Sequence, residues 1–162
     1  MDNEKRNNMN ESITYKKLEE QEIVKAKELI LEYTKWLDRG FPFQKANEES
    51  NKSSEKQEET DKIFILAIAN NNIIGSVGLK HLDDKTCEMR KLLVNDKYKG
   101  KGIGENLVEK IIEEAKKKNY ERIRLNTLDT MDVAVDVYYR NGFYEIESYS
   151  PNVEVMYLEK KL

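Results

Sequence analysis

The chain has 162 residues, a length that suits one domain with a continuous apolar core and leaves no room for a second catalytic domain. Lys and Arg number 28 against 31 Asp and Glu, so the net charge of -3 gives no general reason to expect nucleic acid or an anionic membrane as partner. The single cysteine, Cys87, excludes an internal disulfide and a cysteine-rich zinc site.

The beginning of the chain is polar, and no apolar segment typical of a secretion signal follows it. We therefore expect a cytoplasmic protein, with a flexible N-terminal tail at residues 1–11 and one domain over 12–162. The longest apolar run, at 63–69, is much shorter than a membrane span and predicts a buried strand.

Two elements and a polar connection are predicted in the first third of the chain. Alternating residues at 12–18 predict an edge strand, and apolar residues at helical spacing predict a helix over 19–37. Gly40 and Pro42 follow this helix and end it. Residues 43–60 are rich in Glu and Lys and predict a solvated polar segment.

The middle of the chain predicts a hairpin. Apolar runs at 63–69 and 73–79 flank three asparagines, and asparagine tolerates the positive φ that hairpin turns demand. A further strand is predicted over 86–94, before a glycine-rich turn.

The last third predicts helices and strands in alternation. An apolar stripe with helical period begins at Ile103 and ends at the lysines 116–118, which suit the negative end of a helix dipole. A short helix over 131–140 is expected to start at Thr130 or Asp132 and to end at Asn141 and Gly142. Strands are predicted over 122–127, 144–149 and 153–158.

The glycine-rich turn is the most informative segment of the sequence. Gly100, Gly102 and Gly104 allow backbone conformations that a Cβ would forbid, so that N–H groups can converge on one cluster of oxygens. The N-terminus of the following helix adds unpaired N–H groups and a positive dipole end, and lysines lie close by. The turn therefore predicts a phosphate site, and a glycine-rich turn without a ligand is the alternative.

Two kinds of phosphate site are excluded by the residues present. A nucleoside-triphosphate loop needs Ser or Thr after its Gly-Lys pair, whereas Gly102 follows Lys101. A dinucleotide fingerprint that starts at Gly100 needs its third glycine where Glu105 stands. A pyrophosphate site built from backbone N–H groups, without a metal ligand, remains.

The order of predicted elements and two motifs resemble the Gcn5-related N-acetyltransferase (GNAT) family. Lys99, Gly102 and Gly104 occupy the places of that family's cofactor motif, with Lys where the family has Arg or Gln. Downstream, Ala134 and the segment 137–143 are similar to the family's A-x-x-L-Y-x-K-x-G-F pattern.

The resemblance implies an α/β (α+β) fold with a central mixed, mostly antiparallel sheet of six to seven strands, flanked by about four helices. It also implies transfer of the acetyl group of acetyl-CoA to a primary amine of a small molecule or peptide, by direct attack in a ternary complex and without a metal. Acetylation of a protein lysine or N-terminus, and a catalytically silent acyl-CoA-binding module, are the alternatives. The protein is expected to be a monomer or homodimer.

The resemblance also implies roles for individual residues. Tyr138 is the expected acid for the departing thiolate, and Glu88 is the expected general base for the amine. A main-chain N–H near Leu93 is the expected donor to the oxyanion. In the alternatives, Tyr138 packs as a core ring or only positions the sulfur, and Glu88 pairs with Arg90 or Lys91. The predicted cofactor-binding residues are Leu93, Val94, Lys99, Gly100, Lys101, Gly102, Ile103, Gly104 and Asn126, where the family usually has Asp at the last position.

Three further interpretations concern single side chains. Cys87 has no neighbouring histidine in the sequence to activate it and is interpreted as structural. His81 is interpreted as a surface residue at a strand end, because one histidine cannot gather a metal site. Aromatic residues expected to line the acceptor pocket are Tyr33, Trp36, Phe41, Phe43 and Tyr149.

Overall fold

The computed structural model describes residues 12–25, 61–128, 132–149 and 155–162. The strands are β1 (Thr14–Glu19), β2 (Ile63–Ala69), β3 (Asn72–His81), β4 (Thr86–Val94), β5 (Arg122–Thr127), β6 (Tyr144–Ile146) and β7 (Met156–Lys161). The helices are α1 (Glu20–Lys25), α2 (Ile103–Lys117) and α3 (Asp132–Arg140), and a 3₁₀ turn spans Asp96–Tyr98.

The seven strands of the described residues form one sheet in the order β1-β2-β3-β4-β5-β7-β6. Among these described strands only β4 and β5 run parallel, and the long crossover between them contains α2, as a parallel connection requires. The other neighbouring strands pair antiparallel. The predicted mixed, mostly antiparallel sheet is therefore confirmed.

The main apolar core lies between the sheet and α2. One apolar stripe of this helix is buried against β2, β3 and β4. Each fully buried aliphatic side chain of the stripe contributes about 1.5–3 kcal/mol of transfer free energy. The buried residues of the stripe are Ile103, Leu107, Val108, Ile111, Ile112 and Ala115. They are the residues that the helical period of the sequence predicts.

A second, smaller core lies on the opposite face of the sheet. Leu18 of β1, Ile23 of α1, and Phe64 and Leu66 of β2 are all buried there. Since β2 contributes to both cores, it is apolar at almost every position, as expected for a strand that is covered on both faces.

The predicted bounds hold for β2, β4 and β5, and they shift at the end of the chain. The last strand was expected over 153–158 but runs from Met156 to Lys161, because β7 pairs with the whole of β5, from Thr127 to Arg122. The strand expected over 144–149 already ends at Ile146. The predicted helix over 19–37 begins as α1, and the rest of it lies outside the described residues, as do the predicted tail and the polar segment 43–60.

Candidate active site

A gap opens between β4 and β5 in the middle of the sheet. The two strands pair through three positions and stop at the pair formed by Glu88 and Arg124. Beyond this pair, β4 continues to Val94 along β3, whereas β5 continues to Thr127 along β7. The facing edges of the two central strands are thus not paired with each other beyond Glu88, and this gap can admit an extended ligand.

The backbone of β4 contains a bulge next to the gap. Lys91 has a backbone φ of 53°, a value that residues other than glycine rarely adopt. Its carbonyl oxygen accepts a 2.8 Å hydrogen bond from Ser76 Oγ. The bulge lets Arg90 and Lys91 both approach the buried Asp61, at 3.6 and 3.5 Å. Both cations thus pair with Asp61, and the alternative in which Glu88 pairs with Arg90 or Lys91 stays a prediction.

Beyond the bulge, the direction of the backbone donors follows from the pairing of β4 with β3. The N–H of Asn95 donates to the carbonyl of Ile74 in a 2.7 Å bond. Because N–H groups alternate along a strand, the N–H of Leu93 also faces β3, and that of Val94 faces the gap. Of these two positions, Val94 is the one whose N–H faces the gap, and the oxyanion donor near Leu93 stays a prediction.

The predicted cofactor loop lies between this end of β4 and α2. Gly100 and Gly102 have φ values of 79° and 78°, so their left-handed conformations require glycine. No side chain caps α2 at Gly102, and the first N–H groups of the helix have no intrahelical partner. Backbone donors are thus available in the segment where the sequence predicts them.

The lysines of the loop have contacts within the loop. Lys99 Nζ lies 2.7 Å from the Asp96 carboxylate, and the Lys101 ammonium lies 5.1 Å from the centre of the Tyr98 ring. Both are surface interactions of modest strength that an anion can replace. The N-terminal turn of α2 nevertheless carries its positive dipole end at the same place.

Gly104 offers a test that separates ligand binding from folding. A Cβ at this position would meet only Val94 Cγ2, at an ordinary contact distance of 3.7 Å, and the residue lies in the first turn of α2. We expect Gly104→Ala to leave the melting temperature unchanged or to raise it, because alanine stabilises helices by up to about 1 kcal/mol relative to glycine. We also expect calorimetry to show an affinity for coenzyme A at least tenfold lower than that of the wild type, which is a loss of about 1.4 kcal/mol of binding free energy.

Gly142→Ala is the control for this prediction. Gly142 has a φ of 91°, and a Cβ there would lie 2.8 Å from Lys160 Nζ, so the substitution should lower the melting temperature. Its affinity for coenzyme A, measured well below that temperature, should match the wild type. Unchanged affinity in Gly104→Ala would mean that no ligand approaches this backbone closely.

Tyr138 lies inside the core, on the face of the sheet covered by α2. Its ring is 6% exposed and meets Phe143 edge-on, with ring centres 5.8 Å apart. Burial raises the pKa of Tyr138, so its phenol keeps its proton. The neighbouring Tyr139 is 46% exposed, and the role of Tyr138 as the acid stays a prediction.

Glu88 lies on the other face of β4. Its neighbours Cys87 and Met89 belong to the same core as Tyr138, and side chains alternate along a strand. Glu88 Oε2 accepts a 2.9 Å hydrogen bond from Tyr149 Oη, a partner 61 residues away in the sequence. The two candidate catalytic side chains thus stand on opposite faces of the sheet.

Asn126 lies on the face of the sheet that carries Glu88. Its side chain hydrogen-bonds the Tyr149 phenol, which also contacts Glu88. The role of Asn126 in cofactor binding stays a prediction. From the sequence, Tyr149 is expected only to line the acceptor pocket, and no local pattern indicates its hydrogen bond to Glu88. The other four predicted pocket aromatics lie outside the described residues.

The remaining candidate groups have structural contacts. Cys87 is fully buried, and burial raises the pKa of its thiol to about 12, which agrees with its interpretation as structural rather than nucleophilic. His81 is the last residue of β3, and its Nδ1 lies 2.7 Å from Tyr120 Oη, within hydrogen-bond distance. Within the described ranges, no group of three or more His, Cys, Asp or Glu side chains could hold a metal ion.

The wider sequence relationships agree with this geometry. A model of the Acetyltransferase (GNAT) family matches residues 30–143, which include the gap, the glycine loop and Tyr138. The chain belongs to the GNAT acetyltransferase family. The predicted fold and enzyme class, an acetyltransferase that uses acetyl-CoA, are thereby confirmed at the level of the family.

Individual GNAT relatives resemble the chain over different lengths. An uncharacterized N-acetyltransferase from Schizosaccharomyces pombe is 31% identical over 82% of this chain and 85% of its own length. One from Dictyostelium discoideum is 41% identical over 81 residues, 48% of this chain, and the matched part spans only 38% of that protein.

A solved GNAT structure extends the comparison to nearly the whole chain. PaiA N-acetyltransferase from Thermoplasma acidophilum, crystallised in complex with coenzyme A, superposes with a TM-score of 0.65. It is 25% identical, and the match covers 93% of this chain and 99% of that one.

In the part of this chain that the structure describes, none of the helices has the length and apolar character needed to cross a membrane.

Proposed function

We propose that this chain transfers the acetyl group of acetyl-CoA to a primary amine of a small molecule or peptide, by direct attack in a ternary complex. The observation that carries the proposal is the gap between β4 and β5. It is bounded by the glycine loop beyond one end of β4 and by Glu88 at the last paired position. Family membership supplies the reaction class, and the residues around the gap supply the roles.

Cofactor binding is assigned to backbone groups. The pyrophosphate of acetyl-CoA would accept hydrogen bonds from the loop and from the N-terminus of α2, where Gly100, Gly102 and Gly104 leave the approach open. The N–H of Val94 faces the gap and would bind the acetyl oxygen, where negative charge develops during attack. Lys99 and Lys101 would add positive charge at the diphosphate.

Proton transfer is assigned to Glu88 and Tyr138. An alkylammonium with a pKa near 10.4 is only about one part in a few thousand free base at pH 7, so a base must take its proton. Glu88 would accept this proton directly or through a water molecule, on its own face of the sheet. Tyr138, which keeps its proton because it is buried, would donate to the thiolate of coenzyme A as it departs.

Residues 12–162 would form the single catalytic domain, after an N-terminal tail at 1–11, and the protein would act as a monomer or homodimer. A cytoplasmic location is proposed from the single cysteine, which is free and buried and suits a reducing compartment.

A panel of amines tests the function and identifies the acceptor class. The protein is incubated with acetyl-CoA and polyamines, amino acids, aminoglycosides, or peptides with a free N-terminus or lysine. Thiol release is followed, and the acetylated product is identified by mass spectrometry. We expect release of coenzyme A that depends on one acceptor class. Acetylation of intact proteins alone would favour a protein acetyltransferase, and tight binding of acetyl-CoA without turnover on any acceptor would identify a binding module.

A further inference from the structure

The carboxylate of Glu88 is held by a tyrosine that the proposed mechanism does not use. Tyr149 Oη donates to Glu88 Oε2 at 2.9 Å, and Asn126 hydrogen-bonds the same phenol. Burial, together with the nearby Glu88 carboxylate, raises the pKa of Tyr149, so the phenol stays protonated and acts as a hydrogen-bond donor. One oxygen of the candidate base is thus committed to Tyr149.

The ring of Tyr149 is itself fixed in place. It meets the ring of Tyr157 edge-on, with centres 4.7 Å apart, and it lies 5.2 Å from the Arg124 guanidinium. Arg124 is in turn held by Glu159, whose Oε2 accepts a 2.8 Å hydrogen bond from Arg124 Nε. The phenol therefore donates to Glu88 from a defined position.

The location of this contact relates it to the proposed reaction. Glu88 and Arg124 form the last pair between β4 and β5, so the contact lies where the gap begins. Asn126 follows Arg124 by two residues and lies in the part of β5 that no longer pairs with β4. A residue that fixes Glu88 here also fixes the direction from which Glu88 can meet an amine.

We propose that Tyr149 is a positioning residue for Glu88, with Asn126 acting through Tyr149. This inference rests on the proposed function. Tyr149 holds Oε2 and leaves Oε1 to face the amine; the proton from the amine goes to Glu88, and Tyr149 keeps its own proton throughout. The benefit is orientation, because a carboxylate with one oxygen fixed loses less rotational freedom when it accepts the proton.

Tyr149→Phe removes the hydroxyl and retains the ring. We expect kcat with the best amine to fall about tenfold, less than the roughly 100-fold loss that a misplacement of 1 Å can cause, with KM for acetyl-CoA unchanged. The Glu88→Gln background gives the decisive readout. If Tyr149 acts through Glu88, Tyr149→Phe should cause no further loss of kcat there.

Tyr120→Phe is a control on the opposite face of the sheet. Tyr120 Oη lies 2.7 Å from His81 Nδ1, so this variant also loses a tyrosine hydrogen bond, but not one to Glu88 or to the residues that fix Tyr149. We expect its kcat to match the wild type. The control therefore separates a general effect of losing such a bond from an effect on the candidate base.

Each outcome of this experiment has a defined meaning. Equal kcat of Tyr149→Phe and the wild type, or the same tenfold loss in both backgrounds, would overturn the positioning role and leave the proposed function intact. A wild-type protein that releases no coenzyme A with any amine would refute the proposed function, and the positioning role with it. Thermal melts of all variants establish that each one is folded.

Discussion

Tyr138→Phe is expected to lower kcat about 100-fold, the lower end of the usual contribution of general acid catalysis. The thiolate of coenzyme A would then leave without a proton donor at the sulfur. Affinity for acetyl-CoA should stay within about twofold of the wild type, because the proposed binding contacts come from backbone groups of the loop and α2. Steady-state kinetics and calorimetry measure the two effects separately.

The structure makes this variant a clean test. Phenylalanine retains the ring that packs edge-on against Phe143, so the core around position 138 is preserved. Tyr139→Phe is the matched control, since Tyr139 is the neighbouring tyrosine of α3 and is 46% exposed. Its kcat should equal that of the wild type. If Tyr138→Phe turned over as fast as this control, Tyr138 would have no part in the chemistry.

Glu88→Gln is expected to lower kcat/KM for the amine about 100-fold at neutral pH, again within the range of general base catalysis. Glutamine has nearly the same shape and can still accept a hydrogen bond from Tyr149, but it cannot take a proton from an ammonium group. The variant should therefore depend on the small fraction of amine that is already neutral. Affinity for acetyl-CoA should be unchanged.

The pH dependence of Glu88→Gln adds an independent readout. The neutral fraction of an alkylamine grows tenfold for each pH unit below its pKa of about 10.4. The deficit of the variant should thus shrink as the pH rises toward that value. Glu145→Gln on β6, an exposed carboxylate, is the control and should follow the wild type at every pH. A deficit that stays constant with pH, or no deficit, would argue against Glu88 as the base.

Local patterns in the sequence predicted the elements that carry the site. Alternating or continuously apolar residues predict the bounds of β2, β4 and β5, and the helical spacing of apolar residues predicts which residues of α2 are buried. Gly100 and Gly102 adopt the left-handed backbone conformations that glycine permits, as the glycine spacing of the turn predicts. In each case the signal is local, because a strand face, a helix face or a turn constrains residues that are close in sequence.

The features that sequence did not predict depend on distant contacts. The bulge at Lys91 breaks the alternation of β4 and brings Arg90 and Lys91 to Asp61, which lies in a different part of the sequence. The shifted β7 follows from its pairing with β5, because polar Lys160 and Lys161 carry no apolar signal for a strand. The contact between Tyr149 and Glu88 likewise joins two separate segments through the sheet.

The central claim is that backbone amides in the glycine loop and in the first turn of α2 bind the diphosphate of acetyl-CoA. Titration calorimetry with coenzyme A and acetyl-CoA tests it most directly. We predict binding of one molecule per chain, weakened at least tenfold in Gly104→Ala although that variant melts no lower than the wild type. Folded wild-type protein that gives no heat with either ligand at several temperatures would contradict the account.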